Sequence, residues 1–146
     1  MKEQLLAKPG LTKESMLATL ENSQTYTLAV AEAMPENMYG SRPSDNVWDF
    51  RELLHHVAYG IQWWEDNYIK GNKTDWDPPA VKKSKSEVVL YLKKAYSSLR
   101  QTIETASVDE DKIKGFYATL DHITHHRGQA VTYLRFKGIT PPDYMY

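Results

Sequence analysis

The segment LDHITHHRGQAVTYL occupies residues 120–134 and carries two overlapping patterns. Apolar side chains recur at the spacing of one helix face, at Leu120, Ile123, Val131 and Leu134, which predicts an amphipathic helix. His122 and His126 are four residues apart, so on a helix their imidazoles project side by side and can close on one cation. The segment therefore predicts a helix that packs through one face and carries a metal-binding pair beside it.

The position of each polar residue around this helix sharpens the prediction. At about 100° per residue, His122 and His126 line up with Gln129 and Tyr133 on one flank of the apolar face, whereas His125 lies nearly opposite it. We therefore expect His125 at the surface. Histidines also occur on exposed helix faces without any role, but all five histidines of this chain fall within residues 55–56 and 122–126. This clustering favours a ligand set.

Four helices and no strand are predicted along the chain. Their approximate bounds are residues 12–34, 49–69, 84–106 and 116–137, with N-cap residues that include Thr12, Asp49 and Ser84. The expected fold is all-α, a four-helix bundle in a single domain spanning residues 1–146. The connection between helices 2 and 3 is long, with Gly71 at one end and Pro78-Pro79 in its middle. Its length predicts a crossover rather than a simple up-down-up-down bundle.

Composition excludes several classes of protein and of site. The chain has 146 residues, a net charge of −1 and no cysteine, so disulfides, thiolate ligands and cysteine nucleophiles are excluded. The chain has no excess of basic residues, so nucleic acid is not favoured as a partner. No apolar run approaches the roughly 20 residues of a membrane span. Residues 1–10 lack the apolar core of a signal peptide. We expect a cytoplasmic protein with neither a nucleic-acid nor a membrane partner.

A third imidazole would complete a metal site, and the histidine cluster at residues 55–56 offers two candidates. Periodicity alone does not choose between His55 and His56. Three neutral imidazoles suit zinc, nickel, iron or copper and leave at least one coordination position open. Glu52 stands four residues before His56 and could orient it, but its spacing from Asp49 favours a capping box instead.

Two motifs resemble the DinB superfamily of bacterial four-helix metal-binding proteins, which includes the YfiT-like thiol transferases. The first runs from Met34-Pro35-Glu36 through Arg42-Pro43 to the segment VWDFRELLHH at residues 47–56. The second is HITHHRGQ at residues 122–129, followed by Tyr133-Leu134-Arg135, Gly138 and Pro141-Pro142. The resemblance covers most of the chain, and the second motif is the more specific.

The resemblance implies a site and a range of activities. It places the three metal ligands of the family on His56, His122 and His126, with one divalent transition metal, zinc or nickel, as the expected cofactor. Members with assigned activities are transferases and isomerases that use low-molecular-weight thiols, or amide hydrolases. The implied partners are a small-molecule substrate or thiol and a second copy of the chain in a homodimer.

Two hypotheses of function follow. The first is a metal-dependent enzyme, a thiol S-transferase or hydrolase, in which Gln129 and Tyr133 are candidates for positioning the substrate. Its catalysis would be centred on the metal, because cysteine is absent and no serine stands in a nucleophile-elbow motif. The second is a non-catalytic metal-binding bundle that acts in stress sensing, storage or partner binding. A solvent-reachable cavity beside the ion would favour the enzyme.

Overall fold

Four α-helices form the fold. A computed structural model describes residues 12–146, in which α1 spans Lys13–Ala33, α2 Phe50–Trp64, α3 Lys85–Thr105 and α4 Glu110–Phe136. A 3-10 turn at Glu36–Met38 lies in the first connection, and a π-helical turn at Glu65–Ile69 continues α2. No strand occurs in residues 12–146. The prediction of an all-α four-helix bundle is confirmed.

Three of the helices begin with a capping box, at N-cap residues that the sequence predicts. The side chains of Thr12, Asp49 and Ser84 accept the backbone N–H three residues onward, and the residue there accepts the N–H of the cap. In α2 this returning acceptor is Glu52, whose Oε2 lies 2.7 Å from the Asp49 nitrogen. Glu52 therefore serves the helix start, which confirms the capping interpretation over an orienting role for His56.

The fourth helix begins earlier than predicted. The expected start was Phe116, whereas the structure begins α4 at Glu110. Asp109 is the N-cap and accepts the Lys112 N–H at 2.9 Å. The acidic residues of the first turn interact favourably with the positive end of the helix dipole. The apolar pattern is weak there, so the sequence analysis missed this start, and only residues 106–109 separate α3 from α4.

The connection between α2 and α3 is a crossover that runs the length of the bundle. Arg51 at the start of α2 donates to the Lys83 carbonyl just before α3, and Glu65 at the end of α2 accepts from Thr102 near the end of α3. The two helices are therefore parallel. Lys13 donates to the Glu104 carbonyl, so α1 is antiparallel to α3, and the order is up-down-down-up.

The core lies between the helices, and α2 and α4 meet along their length. Buried apolar side chains come from every helix, among them Leu20, Leu54, Leu92 and Ile123. α2 is antiparallel to α4, because Trp48 before α2 accepts from Tyr133 late in α4. This pairing brings the two histidine clusters to the same level. Within the described residues, no helix combines the length and the apolar character needed to cross a membrane.

Candidate metal centre

His56, His122 and His126 meet at the seam between α2 and α4. One ligand nitrogen from each lies within 4.8 Å of the other two. The Nε2 atom of His56 is 3.0 Å from Nε2 of His126 and 3.0 Å from Nε2 of His122. No carboxylate or further imidazole of residues 12–146 joins this group. We call these three residues the triad.

The contacts within the triad fit a shared cation better than hydrogen bonds. A neutral imidazole has one N–H donor and one acceptor nitrogen, so Nε2 of His56 cannot be well bonded to both neighbours at once. Nitrogens bound to one zinc ion at about 2.0–2.1 Å stand roughly 2.8–3.4 Å apart, from right-angled to tetrahedral geometry. The observed 3.0 Å separations fall in this range. The triad could therefore hold a divalent transition metal.

Gln129 orients one member of the triad. Its Oε1 lies 2.8 Å from Nδ1 of His126, and a carbonyl oxygen can only accept, so the proton of His126 belongs on Nδ1. The lone pair of Nε2 is then directed at the other two imidazoles. A hydrogen bond that fixes the tautomer in this way is typical of histidine ligands. Gln129 thus lines the site while its side chain is engaged by His126.

His122 is positioned by steric contact with Gly60 of α2. A Cβ atom at residue 60 would lie 2.3 Å from Cε1 of His122 and 2.7 Å from its Nδ1. The Nδ1 atom is buried and has no hydrogen-bond partner among the described residues. The ring therefore occupies the space that the glycine leaves, and no hydrogen bond to Nδ1 fixes its orientation.

The triad is neutral in the folded protein at physiological pH. Burial, together with the neighbouring His126 and His122, lowers the pKa of His56 to about 4. Burial and the proximity of His126 likewise lower the pKa of His122 to about 4. The pKa of His126 is also lowered by burial, against the bond to Gln129, which raises it. Neutral imidazoles are the form that binds a metal.

His55 faces away from the triad and holds the crossover. Its side chain is 3% exposed, Nε2 lies 3.1 Å from the Pro79 carbonyl, and Nδ1 accepts the Lys82 N–H at 3.4 Å. Both ring nitrogens are thus engaged by the backbone. Of the two histidines between which periodicity could not choose, His56 and not His55 lies in the triad. His125 is exposed, as expected.

Two tryptophans flank His56 from different connections. The Trp48 ring lies 4.5 Å from that of His56, and the Trp76 ring lies 5.3 Å from it. The α2 side chains hold Trp76 in place, because Tyr59 accepts the Asp77 N–H and Trp63 donates to the Thr74 and Asp75 carbonyls. Both indoles stay partly exposed, at 46% and 43%. They form the walls of the site on its solvent side.

An open cleft reaches the triad at His126. It has a volume of about 450 Å³ and is lined by Arg42, Asp45, Asn46, Val47, Trp48, Glu52, Leu53, His126, Gln129 and Tyr133. Tyr133 donates to the Trp48 carbonyl at 2.7 Å. Its hydroxyl thereby anchors the connection that carries Trp48, while its ring lines the cleft.

Sequence reasoning missed two contributors to the site. Gly60 follows His56 by one helical turn inside the predicted second helix, and a glycine inside a helix can mark a close approach. The position of Gly60 could therefore have indicated a close contact with another helix. Trp76 was only one of several aromatic residues that could wall a pocket, because only the hydrogen bonds from α2 to the crossover bring it over the site.

Comparisons with known proteins identify related chains. A sequence model of the DinB superfamily matches residues 19–130. The crystal structure of a DinB-like protein from Bacillus cereus ATCC 10987 superposes with a TM-score of 0.78 at 14% sequence identity, covering 90% of this chain and 96% of that one. At this identity the likeness concerns the fold alone. No curated protein matches the chain significantly.

Proposed function

Because this chain belongs to the DinB superfamily and gathers three imidazoles beside an open cleft, we propose that it is a metal-dependent enzyme of small molecules. The proposed reaction is transfer of a low-molecular-weight thiol or hydrolysis. One observation carries the proposal, namely that the cleft reaches His126 while residues 12–146 offer the triad no further ligand. Substrate could therefore approach the side of an ion that faces away from the helices.

The residues of the site would have distinct tasks. His56, His122 and His126 would hold one zinc or nickel ion, which as a Lewis acid favours deprotonation of a bound thiol or water. Gln129 fixes the tautomer of His126, and Gly60 leaves the space in which His122 lies. The Trp48 ring lies beside that of His56 and would form one wall of the substrate site. With no cysteine in the chain, the reacting thiol must come from the substrate.

The proposal is tested by activity of the reconstituted protein. The metal-free chain is loaded with zinc or nickel and assayed for addition of a simple thiol to an electrophile and for hydrolysis of small amides. We expect turnover that requires the metal and disappears in His56→Ala under the same loading. His125→Ala, which alters an exposed histidine outside the triad, is the matched control and should remain active.

The outcomes separate an enzyme from a metal-binding bundle. Metal-dependent turnover in the wild type and in His125→Ala supports the enzyme. Binding of one ion per chain without turnover of any thiol or amide would contradict it and favour a sensing or storage role.

A further inference from the structure

The cleft continues along α4 into a second cavity. This neighbour has a volume of about 120 Å³ and is lined by Ser41, Arg42, Pro43, Tyr133, Phe136 and Lys137. Arg42 and Tyr133 line both cavities, so the two are adjacent, and together they are called the groove, which starts at His126. Tyr133 lies seven residues beyond His126, or about 10 Å along the helix axis. The groove thus leads from the triad to a separate binding region.

Cationic side chains line this far region. Arg42 lies on the wall that the two cavities share, and Lys137 lies at the far end. The Arg42 guanidinium donates to the Val47 carbonyl at 3.3 Å, while its nearest carboxylates, on Asp49 and Glu52, are 3.8 and 3.7 Å away. Lys137 has no ion pair within residues 12–146. A guanidinium has five N–H donors, so most of those of Arg42 are available to a ligand.

Arg42 forms ion pairs with Asp49 and Glu52 but no hydrogen bond with either carboxylate. Asp49 accepts the Glu52 N–H at 2.7 Å, and Glu52 accepts the Asp49 N–H at 2.7 Å, so both are engaged in starting α2. Asp45 is exposed and lines the part of the groove next to His126, but not the far cavity. The far cavity is therefore lined by Arg42 and Lys137 and by no carboxylate, whereas Asp45 and Glu52 line the part next to His126.

We propose that the groove binds a substrate whose metal-binding group and anionic group stand about 10 Å apart. The anionic group is a carboxylate or a similar oxyanion that accepts from Arg42 and interacts with Lys137. Tyr133 lines both cavities, and the largely exposed Phe136 lines the far one. This inference rests on the proposed function, since it assigns the second end of the substrate of that site.

Two peptides that differ only in charge test the proposal. N-acetyl-Cys-Gly-Gly with a free carboxylate spans about 10 Å from thiol to carboxylate, and its C-terminal amide has the same length without the charge. Binding of each peptide to the zinc- and nickel-loaded protein is measured by calorimetry at neutral pH. We expect the carboxylate to bind about tenfold more tightly, as a charge-assisted hydrogen bond would provide.

The variants locate the effect. Arg42→Gln should remove most of the tenfold preference while metal stoichiometry stays the same, and Lys137→Gln should reduce the preference to a smaller extent. Lys93→Gln, on the exposed surface of α3, matches the change in charge and should retain the preference. Equal binding of the two peptides by the wild type, or an unchanged preference in Arg42→Gln, would overturn the inference.

A failure of the proposed function gives a different result. The peptide N-acetyl-Ser-Gly-Gly has the same charge and length but no thiol. If it binds as tightly as the cysteine peptide, the thiol does not reach the metal and the thiol-transfer proposal fails. A preference for the carboxylate that Arg42→Gln removes would still support the anionic region in that case.

Discussion

His55 and His56 are neighbours on α2, yet they lie in opposite kinds of environment. His55 is enclosed between α2, α3 and the crossover, and each of its ring nitrogens contacts a backbone group of the crossover. His56 points to the seam with α4, where its Nε2 faces two other imidazole nitrogens at 3.0 Å. The first site is complete with protein groups alone. The second leaves nitrogen lone pairs directed at one another.

The difference separates a structural histidine from a ligand. A buried polar group that finds its hydrogen bonds stabilises the fold, and the contacts of His55 need no further partner. Three neutral imidazoles with low pKa values gain most from a cation that accepts their lone pairs. The two residues should therefore respond in opposite ways to mutation, which gives a means of testing the assignment.

Removal of a ligand should have the largest effect. In His56→Ala, two imidazoles remain, and we expect affinity for zinc and nickel to fall by more than roughly 100-fold. This loss exceeds the one expected when a residue that only hydrogen-bonds to a metal ligand is removed. Calorimetric titration measures this. His125→Ala should bind like the wild type, and retention of wild-type affinity in His56→Ala would exclude the triad.

A methyl group at residue 60 should displace His122. Gly60→Ala puts a Cβ 2.3 Å from Cε1 of His122, so the ring must move, and we expect metal affinity to fall by about 10- to 100-fold. Gly128→Ala is the matched control, because a Cβ there meets nothing within 4 Å. It should leave binding unchanged and add about 0.5–1 kcal/mol of helix stability. Equal binding by both variants would contradict the steric role of Gly60.

Loss of the Gln129 acceptor should weaken the site without destroying it. In Gln129→Ala the Nδ1 proton of His126 loses its partner, and metal affinity should fall by about tenfold. Gln129→Glu restores an acceptor oxygen and should recover the affinity. If the alanine variant binds normally and only the substrate KM changes, Gln129 acts on substrate rather than through His126.

The crossover histidine should affect stability and not metal binding. His55→Ala removes two buried contacts, and we expect the free energy of unfolding to fall by about 1–3 kcal/mol, measured by urea denaturation of the metal-free protein. Metal stoichiometry should remain that of the wild type. Loss of metal from a folded His55→Ala variant would show that the two histidines are not independent.

Acid should destabilise the metal-free protein through the triad. The pKa values of His56 and His122 are lowered from 6.5 to about 4, so between these values the unfolded chain binds more protons and folding stability falls as pH falls. We expect a loss of order 1 kcal/mol between neutral pH and about pH 5, reduced by solvent access to the site. The His56→Ala and His122→Ala double variant should show a flatter dependence.

The sequence predicts most of the fold because its signals are local. Capping residues and apolar periodicity locate α1, α2 and α3, and the one wrong boundary, the start of α4, lies where that periodicity is weak. The pair His122 and His126 is also a local signal. His56 could be chosen over His55 only by family resemblance, because the choice depends on which helix packs on which face of α2. The positions of Trp76 and Arg42 depend on long connections and were beyond any local pattern.

The most direct test of the triad is an anomalous difference map from crystals of the zinc- or nickel-loaded protein at the absorption edge of the metal. We predict a single peak about 2.0–2.1 Å from Nε2 of His56, His122 and His126, with its remaining side facing the cleft at Gln129 and Trp48. A peak elsewhere, or a metal whose remaining positions are filled by protein groups, would contradict the account.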